Sequence, residues 1–456
     1  MWRKEPIDVL REPLRRFLQA EVNAGLLLLA AAGVAMIWAN SPWNASYFAL
    51  WEHELALRFD DHVLAHDLRA WINDGLMAMF FFVVGLELKR ELIGGRLSMV
   101  STAALPIAAA IGGMVFPALI YLTVVGWEGP ATSGWGIPMA TDIAFAVGVL
   151  VLLGDRVSTG LKLFLTTLAI VDDLGAVLVI AFFYTSDISL ANLMIGLGFL
   201  AVLMGGNWLG VRSPVFYGLV GIGGLWLAFL LSGVHATVAG VLVAATIPGV
   251  SKVDRFGYLE RMRWYIREFA RSGPEGEGPA KEARLETAAK VVRVSERAVP
   301  PLQRLERRLR PVVIYLVVPL FALANAGVVL PEDPGAALLA PVSVGVALGL
   351  ALGKPVGILG ISWLVTRLGL AREAEDFSWR HLMGASLLAG IGFTMSLFIT
   401  QLAFVEPIHG EEAKLGILAG SLVAGIAGWS LLRRTTPDGR SAGTKNPGLS
   451  DRGSST

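Results

Sequence analysis

Apolar runs of membrane-spanning length, separated by shorter polar stretches, recur along most of the chain. A transmembrane helix needs about 20 mostly apolar residues to cross the hydrocarbon core of a bilayer. The pattern therefore predicts an all-α polytopic membrane protein, with a membrane domain over residues 21–433. Twelve spans are predicted near 21–40, 71–92, 101–126, 136–153, 159–184, 190–208, 214–232, 233–249, 311–330, 341–366, 382–404 and 413–433.

The composition agrees with a membrane protein. Of 456 residues, 54% are hydrophobic and only 16% are charged, whereas soluble proteins carry about 25% charged residues. The chain has no cysteine, which excludes disulfides, thiolate metal sites and cysteine nucleophiles. Residues 1–20 lack the apolar core and cleavage site of a signal peptide. We expect them to form an amphipathic cytoplasmic segment, and residues 434–456 to form a disordered cytoplasmic tail.

The distribution of basic residues predicts the orientation of the chain. Twelve spans put both termini on one side of the membrane. Lysine and arginine are concentrated in alternate connections, and such residues mark the cytoplasmic side. Both termini are therefore predicted to be cytoplasmic. The basic connections contain Lys89, Arg90 and Arg96, then Arg156, Arg212, the 250–310 segment, and Arg367, Arg372 and Arg380.

Two connections are long enough to have structure of their own. Residues 41–70 alternate polar and apolar positions near 52–58, which predicts a small periplasmic hairpin. Residues 250–310 form a long cytoplasmic connection with helical charge patterns on both sides of the break at 271–280, RSGPEGEGPA. The simpler interpretation of this segment is a solvated helical insertion. A regulatory or partner-binding role is the alternative.

Four charged residues lie in the middle of predicted spans: Asp142, Asp172, Asp173 and Lys354. A charge at the centre of a membrane helix costs about 2.5–3.5 kcal/mol on insertion scales and usually marks a transport or proton pathway. A structural salt bridge is the alternative, but one lysine can neutralise only one of the three acids. The excess of acid indicates a site that accepts cations.

The adjacent acids Asp172 and Asp173 cannot have the same surroundings, because neighbouring residues on an α-helix point about 100° apart. One of them can meet Lys354 while the other faces a cavity. Burial and mutual repulsion both disfavour the ionised forms of two such carboxyl groups. We therefore expect a proton and a small cation to compete for the same oxygens.

Two of the spans are interrupted by helix-breaking or polar residues. Pro138, Thr141 and Asp142 interrupt residues 134–150, and glycines with Thr394 and Ser396 interrupt residues 387–400. Unwound backbone inside a membrane needs protein or a watery cavity around it, and each break exposes half-helix ends with about half a charge. If the breaks cross, Asp142 can balance the positive ends and Lys354 the negative ends.

Seven stretches in one order carry a resemblance to a known family: WINDGLMAMFFF with VGLELKREL, IPMATDIAFAVGVL, AIVDDLGAV, SGVHATVAG, PLFALANAGV, GKPVGI and GIGFTMSLFI. Together they resemble the NhaA family of bacterial sodium/proton antiporters, from about residue 20 to 430. The resemblance implies inverted repeats with two crossing discontinuous helices. It also implies electrogenic exchange of two protons for one Na⁺ or Li⁺, activity at alkaline pH, a bacterial inner membrane location and no cofactor.

The resemblance also implies roles for the charged residues. Asp173 is similar to the principal sodium ligand and proton carrier, and Asp172 to its partner, bridged to Lys354. Thr141 is similar to an accessory oxygen ligand, and Asp142 and Lys354 to the groups that compensate charge at the helix crossing. The hairpin at 41–70 suggests a homodimer within membrane lipid, and nucleic acid is not an expected partner.

The region that would respond to pH departs from the family pattern. Glu87 and Glu306 are candidates for this role, but Arg307 and Arg310 stand where histidines are often found, and arginine does not titrate near neutrality. His235 is a third candidate, although a hydrogen-bonded packing role is the simpler interpretation. We expect structural roles for Asp74 and Asn325.

Two alternatives to an antiporter are open at this point. A sodium-coupled solute symporter of related fold is one, although no intramembrane arginine or aromatic cluster is present to hold an organic solute. The other is an intramembrane aspartyl protease, but its YD and GxGD motifs are missing from the sequence. We therefore expect a transporter and not an enzyme.

Overall fold

The computed structural model describes residues 21–435 except for 60–61, 186–187, 252–254, 272–278, 331–332, 371–376 and 405. The predicted segments 1–20 and 436–456 lie outside the described residues. The chain divides into two compact units. Unit one contains the described parts of 1–47, 99–176 and 325–456, and unit two contains those of 48–98 and 177–324.

Unit one is built from helices. They are α1 (Glu21–Ala39), α4 (Val100–Val125), a 3₁₀ helix (Pro130–Met139), α5 (Ile143–Leu152), most of α6 (Thr159–Phe183), α13 (Pro334–Leu338), α14 (Pro341–Arg367), α15 (Trp379–Ala389), α16 (Phe393–Ala403) and α17 (Pro407–Arg434).

Unit two adds one strand pair to its helices. Its elements are α2 (Asn44–Trp51, which begins in unit one), β1 (Glu54–Phe59), β2 (His62–Asp67), a π-helical turn (Trp71–Leu76), α3 (Met77–Gly94), α7 (Leu190–Trp208), α8 (Pro214–Leu230), α9 (Ala236–Thr246), α10 (Arg255–Arg271), α11 (Pro279–Ala298) and α12 (Pro301–Asn325, which ends in unit one).

Seven helices within the described residues are long and apolar enough to cross a membrane, and nine if each of two bent pairs is one span. The bent pairs are α1 with α2, at 118°, and α15 with α16, at 45°. Two shorter apolar helices, α8 and α9, are separated at residues 231–235, inside the stretch where the sequence predicts a division. The nearly all-helical chain is a polytopic membrane protein.

The two long connections contain regular structure. Strands β1 and β2 pair in antiparallel register, with Glu54 opposite Asp67 and Phe59 opposite His62. This pair lies within the predicted hairpin region 41–70. Helices α10 and α11 lie on the two sides of the break predicted at 271–280.

Close helix packing in unit one fixes the helix that carries Lys354. A Cβ atom added to Gly357 on α14 would lie 2.0 Å from the carbonyl oxygen of Gly112 on α4, and one added to Gly353 would lie 2.7 Å from the Cα atom of Pro117. Small residues let membrane helices approach until their backbones touch. The Gly353–Gly357 turn therefore holds α14 directly against α4.

Unit two has its own apolar core. Leu86 on α3 packs with Leu203 on α7, Phe229 on α8 and Val243 on α9. Helices α3 and α9 approach closely, because a Cβ atom on Gly240 would lie 2.3 Å from the carbonyl oxygen of Ala78. The carboxyl-terminal half of α3, which carries Glu87 and Arg90, is thereby fixed in this unit.

Candidate functional site

The two interrupted helical segments of unit one bind each other through their breaks. The first break lies between the 3₁₀ helix and α5, and the second, Gly390–Gly392, lies between α15 and α16. The backbone N–H of Asp142 donates to the carbonyl of Ile391 at 2.6 Å, and the Thr141 hydroxyl donates to the carbonyl of Ala389 at 2.8 Å. Backbone groups released by one break are thus partly satisfied by the other, as membrane burial requires.

Asp142 lies at the amino-terminal ends of two helices. Its side chain caps α5 by accepting from the N–H of Phe145 at 3.1 Å. It also accepts from the N–H of Thr394 at 3.2 Å and from the Thr394 hydroxyl at 2.5 Å, in the first turn of α16. Both helix starts carry partial positive charge. One buried carboxylate therefore satisfies donors at two helix N-termini.

Lys354 forms an ion pair inside unit one. Its Nζ atom lies 2.6 Å from Oδ2 of Asp172, and the two side chains are 0% and 1% exposed. The same ammonium group donates to the Thr141 hydroxyl at 2.7 Å. Thr141 in turn donates to the carbonyl of Ala389 at the end of α15. The Thr141 hydroxyl thus links the Lys354 ammonium group by hydrogen bonds to the carboxyl-terminal end of α15, which carries partial negative charge.

Asp173 follows Asp172 on α6 and is just as deeply buried, at 1% exposure. The ammonium group of Lys354 is attracted by Asp173 as well as by Asp172. Among the described residues of unit one, three buried carboxyl groups therefore accompany one buried lysine. No group of three His, Cys, Asp or Glu residues suited to a resident metal occurs in the described chain.

The acidic residues proposed for the pH response lie in unit two, where arginines contact them. Arg90 pairs with Glu306, which is buried, and also with Glu91 at 3.3 Å. Arg310 lies 3.5 Å from Glu87. A cavity of about 250 Å³ opens beside Arg90 and Glu91. Arg310, one of the two arginines that depart from the family pattern, is therefore an ion-pair partner of the candidate residue Glu87.

His235 has a different local role in unit two. It precedes α9, and its Nε2 atom lies 2.6 Å from the carbonyl oxygen of Tyr184. Trp226 donates to the backbone carbonyl of Asp74 at 3.0 Å. In unit one, Gln401 on α16 donates to the side chain of Asn325. The Gln401–Asn325 hydrogen bond links α16 to the end of α12. The Trp226 contact uses the backbone of Asp74, so the structural role of that side chain stays a prediction.

Sequence reasoning missed several residues that the structure brings to these sites. Ser421 on α17 accepts from the N–H groups of Gly392 and Phe393, both at 3.3 Å, and so supports the second break. Thr394 was noted only as an interruption, yet it binds Asp142. No sequence signal identifies Ser421, because a serine in a small-residue helix is ordinary. The pairing of Arg90 with Glu306 likewise has no local signal.

Comparison with known proteins gives matches along nearly the whole chain. The profile of the family described as Na⁺/H⁺ antiporter 1 matches residues 15–432. The Na(+)/H(+) antiporter NhaA of Oleidesulfovibrio alaskensis is 49% identical over 431 residues, which cover 94% of this chain and 95% of that protein. The Na(+)/H(+) antiporter NhaA of Koribacter versatilis is 47% identical over 447 residues, which cover 98% and 95%.

A third relative extends the same result. The Na(+)/H(+) antiporter NhaA 2 of Syntrophotalea carbinolica is 47% identical over 432 residues, covering 94% of this chain and 98% of its own. The matched region contains the acid pair, the buried lysine and both helix breaks. These relatives are named as antiporters and not as enzymes. The resemblance seen in the sequence motifs is confirmed, and this chain belongs to the NhaA family of sodium/proton antiporters.

Proposed function

We propose that this protein exports Na⁺ or Li⁺ from the cell in exchange for protons at the buried carboxyl groups of unit one. The observation that supports this most strongly is the burial of three carboxyl groups with one lysine among the described residues of unit one, because Lys354 alone cannot neutralise the negative charge of a deprotonated Asp173 as well as that of Asp172. When Asp173 holds a proton, that charge is absent. When the proton leaves, a sodium ion takes its place.

In this proposal Asp173 is the principal ligand and proton carrier, and Asp172 is the second carboxylate ligand. Thr141 supplies an accessory hydroxyl oxygen, and Asp142 holds the helix breaks in register. Oxygen ligands of this kind suit a hard alkali cation, whose binding requires deprotonated carboxylates. Proton and sodium therefore exclude each other from the same oxygens.

A second proton comes from Lys354. Sodium drawn to Asp172 competes with the ammonium group for the same carboxylate. A buried ammonium group without its partner is costly, so Lys354 gives up its proton as sodium binds. Two protons are then exchanged for one sodium ion, and each cycle moves net charge across the membrane. Low proton concentration favours sodium binding, which gives activity at alkaline pH.

The acidic residues Glu87 and Glu306 gather cations at the cytoplasmic entrance and adjust the pH range of exchange. Arginine as a residue type does not titrate near neutrality, so in this proposal the carboxyl groups carry the pH response. His235, near the start of α9, is a further candidate for the pH response.

The proposed topology has twelve spans, with inverted repeats and two crossing discontinuous helices. Helices α3, α8 and α9, added to the nine membrane-capable spans, give that number. Both termini are cytoplasmic, the membrane is the bacterial inner membrane, and the strand pair β1–β2 joins two copies in a homodimer.

Everted membrane vesicles test the exchange directly. A preformed pH gradient, acid inside, is followed by a fluorescent amine while NaCl or LiCl is added at mildly acidic and mildly alkaline pH. The proposal expects collapse of the gradient by both salts, with a larger response at alkaline pH. No collapse at any pH refutes it. Solute uptake driven by a sodium gradient, without collapse of the pH gradient, supports the symporter instead.

A further inference from the structure

The long connection of unit two contains an antiparallel helix pair, α10 with α11. Tyr258 near the start of α10 lies 3.4 Å, hydroxyl to hydroxyl, from Ser295 near the end of α11. Thr287 and Val294 of α11 are buried, and Tyr258, Met262 and Tyr265 of α10 are partly buried. These residues form the seam between the two helices.

Both helices also expose aliphatic side chains beside the seam. On α10 these are Leu259 and Ile266, seven residues apart, and on α11 they are Leu285 and Val292, again seven apart. Ile266, Leu285 and Val292 are 59%, 63% and 56% exposed. Seven residues are two helical turns, so each pair forms a line along its helix.

The two aliphatic lines fall on the same side of the pair. Leu259 and Ile266 each follow a seam residue of α10 by one position, and Val292 follows the partly buried Val291 of α11 in the same way. One position is a rotation of about 100°. Because the two helices are antiparallel and face each other, a rotation of this size from the seam in each helix brings both aliphatic lines to the same side of the helix pair. We call the surface formed by Leu259, Ile266, Leu285 and Val292 the aliphatic face.

Arginines border the aliphatic face. Arg263 and Arg267 lie next to the line of Leu259 and Ile266 on the side away from the seam, and both are exposed. The two helices together contain ten Lys or Arg residues and five Glu residues. Long basic side chains can keep their charge at a polar surface while their stems cover an apolar layer. The border thus complements a negatively charged, amphipathic surface.

The chain connectivity holds the pair close to the membrane. Helix α9 ends at Thr246 and α10 begins at Arg255, while α11 ends at Ala298 and α12 begins at Pro301. Eight residues in the first connection reach at most about 28 Å. Because α9 is an apolar helix and α12 is a candidate span, the start of α10 and the end of α11, which lie together at one end of the pair, stay within reach of the headgroup region.

We infer that the aliphatic face of α10–α11 docks on the bilayer surface, with Arg263 and Arg267 bound to anionic lipid headgroups. Basic amphipathic helices with aliphatic and aromatic side chains lie in the interfacial layer in this way. A second copy of the chain fits less well, because it would bring the same basic borders together. Four aliphatic side chains also fall short of the ~800 Å² that each partner buries in a stable protein interface.

Single-cysteine spin labelling of the full-length protein tests the docking, since the chain has no native cysteine. The variants Ile266→Cys and Val292→Cys carry labels on the aliphatic face. The matched controls Glu268→Cys and Ala283→Cys carry labels on the opposite side of the same helices. Each protein is reconstituted in phosphatidylcholine vesicles, with or without phosphatidylglycerol, and collisions with oxygen and with a water-soluble nickel complex are compared.

Docking predicts that face labels in phosphatidylglycerol vesicles collide with oxygen and are protected from nickel, while control labels stay open to nickel. Without phosphatidylglycerol, or in high salt, the face labels collide with the nickel complex as often as the control labels do. Substituting Arg263→Gln and Arg267→Gln lowers the ratio of docked to undocked protein about fivefold for each arginine. Melting temperatures check that each variant is folded.

Four results overturn the inference. Face labels as open to nickel as the controls in phosphatidylglycerol vesicles show a solvated helix pair. Face labels protected from both nickel and oxygen, with dipolar coupling between labels on two copies, show that a second copy covers the face. The same protection without dipolar coupling shows that another segment of the same chain covers it. Docking that is unchanged by both arginine substitutions shows that the headgroup charge plays no part.

Discussion

Two groups of charged residues in this protein differ in how much water reaches them. In unit one, the side chains of Lys354 and Asp172 are almost completely buried and pair with each other. In unit two, Arg90 and Arg310 are 37% and 44% exposed while their partners Glu306 and Glu87 are mostly buried. Water solvates the arginines of the second group and is excluded from the first.

This difference decides what each group can do. A buried charge has no alternative to its partner, so a change in one carboxyl group must be matched by a proton or a metal ion. An exposed arginine exchanges its partner for water at little cost, and its pairs are weak and salt-sensitive. The first group therefore suits obligatory exchange and the second suits graded adjustment. The predictions below test this contrast.

The largest effect is expected at Asp173. Substituting Asp173→Asn removes the carboxyl group that carries proton and sodium in turn, and we expect exchange in everted vesicles and sodium binding by calorimetry to be lost. Glu286→Gln, on the exposed surface of α11, is the control and should exchange normally. Normal exchange by the Asp173→Asn protein would remove Asp173 from the site.

Breaking the buried pair should be the next largest effect. Lys354→Gln leaves Asp172 buried without a counter-charge, which we expect to lower the free energy of unfolding by about 3–5 kcal/mol. The double variant Lys354→Gln with Asp172→Asn removes both charges and should recover most of this loss. Denaturation in detergent measures both. A double variant no more stable than the single one would contradict an ion pair whose members depend on each other.

Competition at Asp173 predicts a strong pH dependence of sodium affinity. As pH rises through the range in which the carboxyl proton is displaced, the apparent affinity should increase about tenfold per pH unit for each proton released. Because sodium binds the deprotonated form, affinity is lost as pH falls. Calorimetric titration with NaCl at several pH values gives the slope, and an affinity that stays flat would rule out competition.

The smallest effect is expected at the exposed arginines. Arg310→Gln removes a pair worth less than about 1 kcal/mol, so the pH at half-maximal exchange should move by less than about one unit. The shift should shrink in high salt, where exposed charges are screened. Arg308→Gln on the same exposed turn is the control. A shift of several pH units in half-maximal exchange would show that Arg310 is required for exchange and does not merely adjust its pH range.

The sequence identifies the buried charges because they interrupt apolar spans, and it identifies the helix breaks because proline, glycine and threonine cluster there. Those signals are local. The partners of these groups are not local, because Thr394 and Ser421 are separated from Asp142 by more than half the chain. Only the folded structure shows that the Thr394 hydroxyl binds the Asp142 carboxylate and that the Ser421 hydroxyl binds the break between α15 and α16. The pairing of Arg90 with Glu306 was beyond prediction for the same reason.

The number of spans predicted from the sequence can be compared with the lengths and compositions of the folded helices. Apolar windows predict twelve spans, whereas the length and composition of the folded helices give seven, or nine with the bent pairs. Helices α8 and α9 are short, and α3 ends in the charged sequence ELKREL. Helices this short or this charged do not meet the criterion of length and composition, so the twelve-span count stays a prediction.

The glycine contact between α14 and α4 restricts how the site can move. With the backbone of Gly357 against that of Gly112, and Gly353 against Pro117, α14 cannot rotate or slide without separating from its neighbour. If sodium displaces Lys354 from Asp172 as proposed, the lysine therefore leaves by swinging its flexible four-carbon chain while the helix stays still. In the proposed exchange, the rotamers of this one side chain gate sodium entry at Asp172, and a bulkier residue at either glycine would misplace that gate.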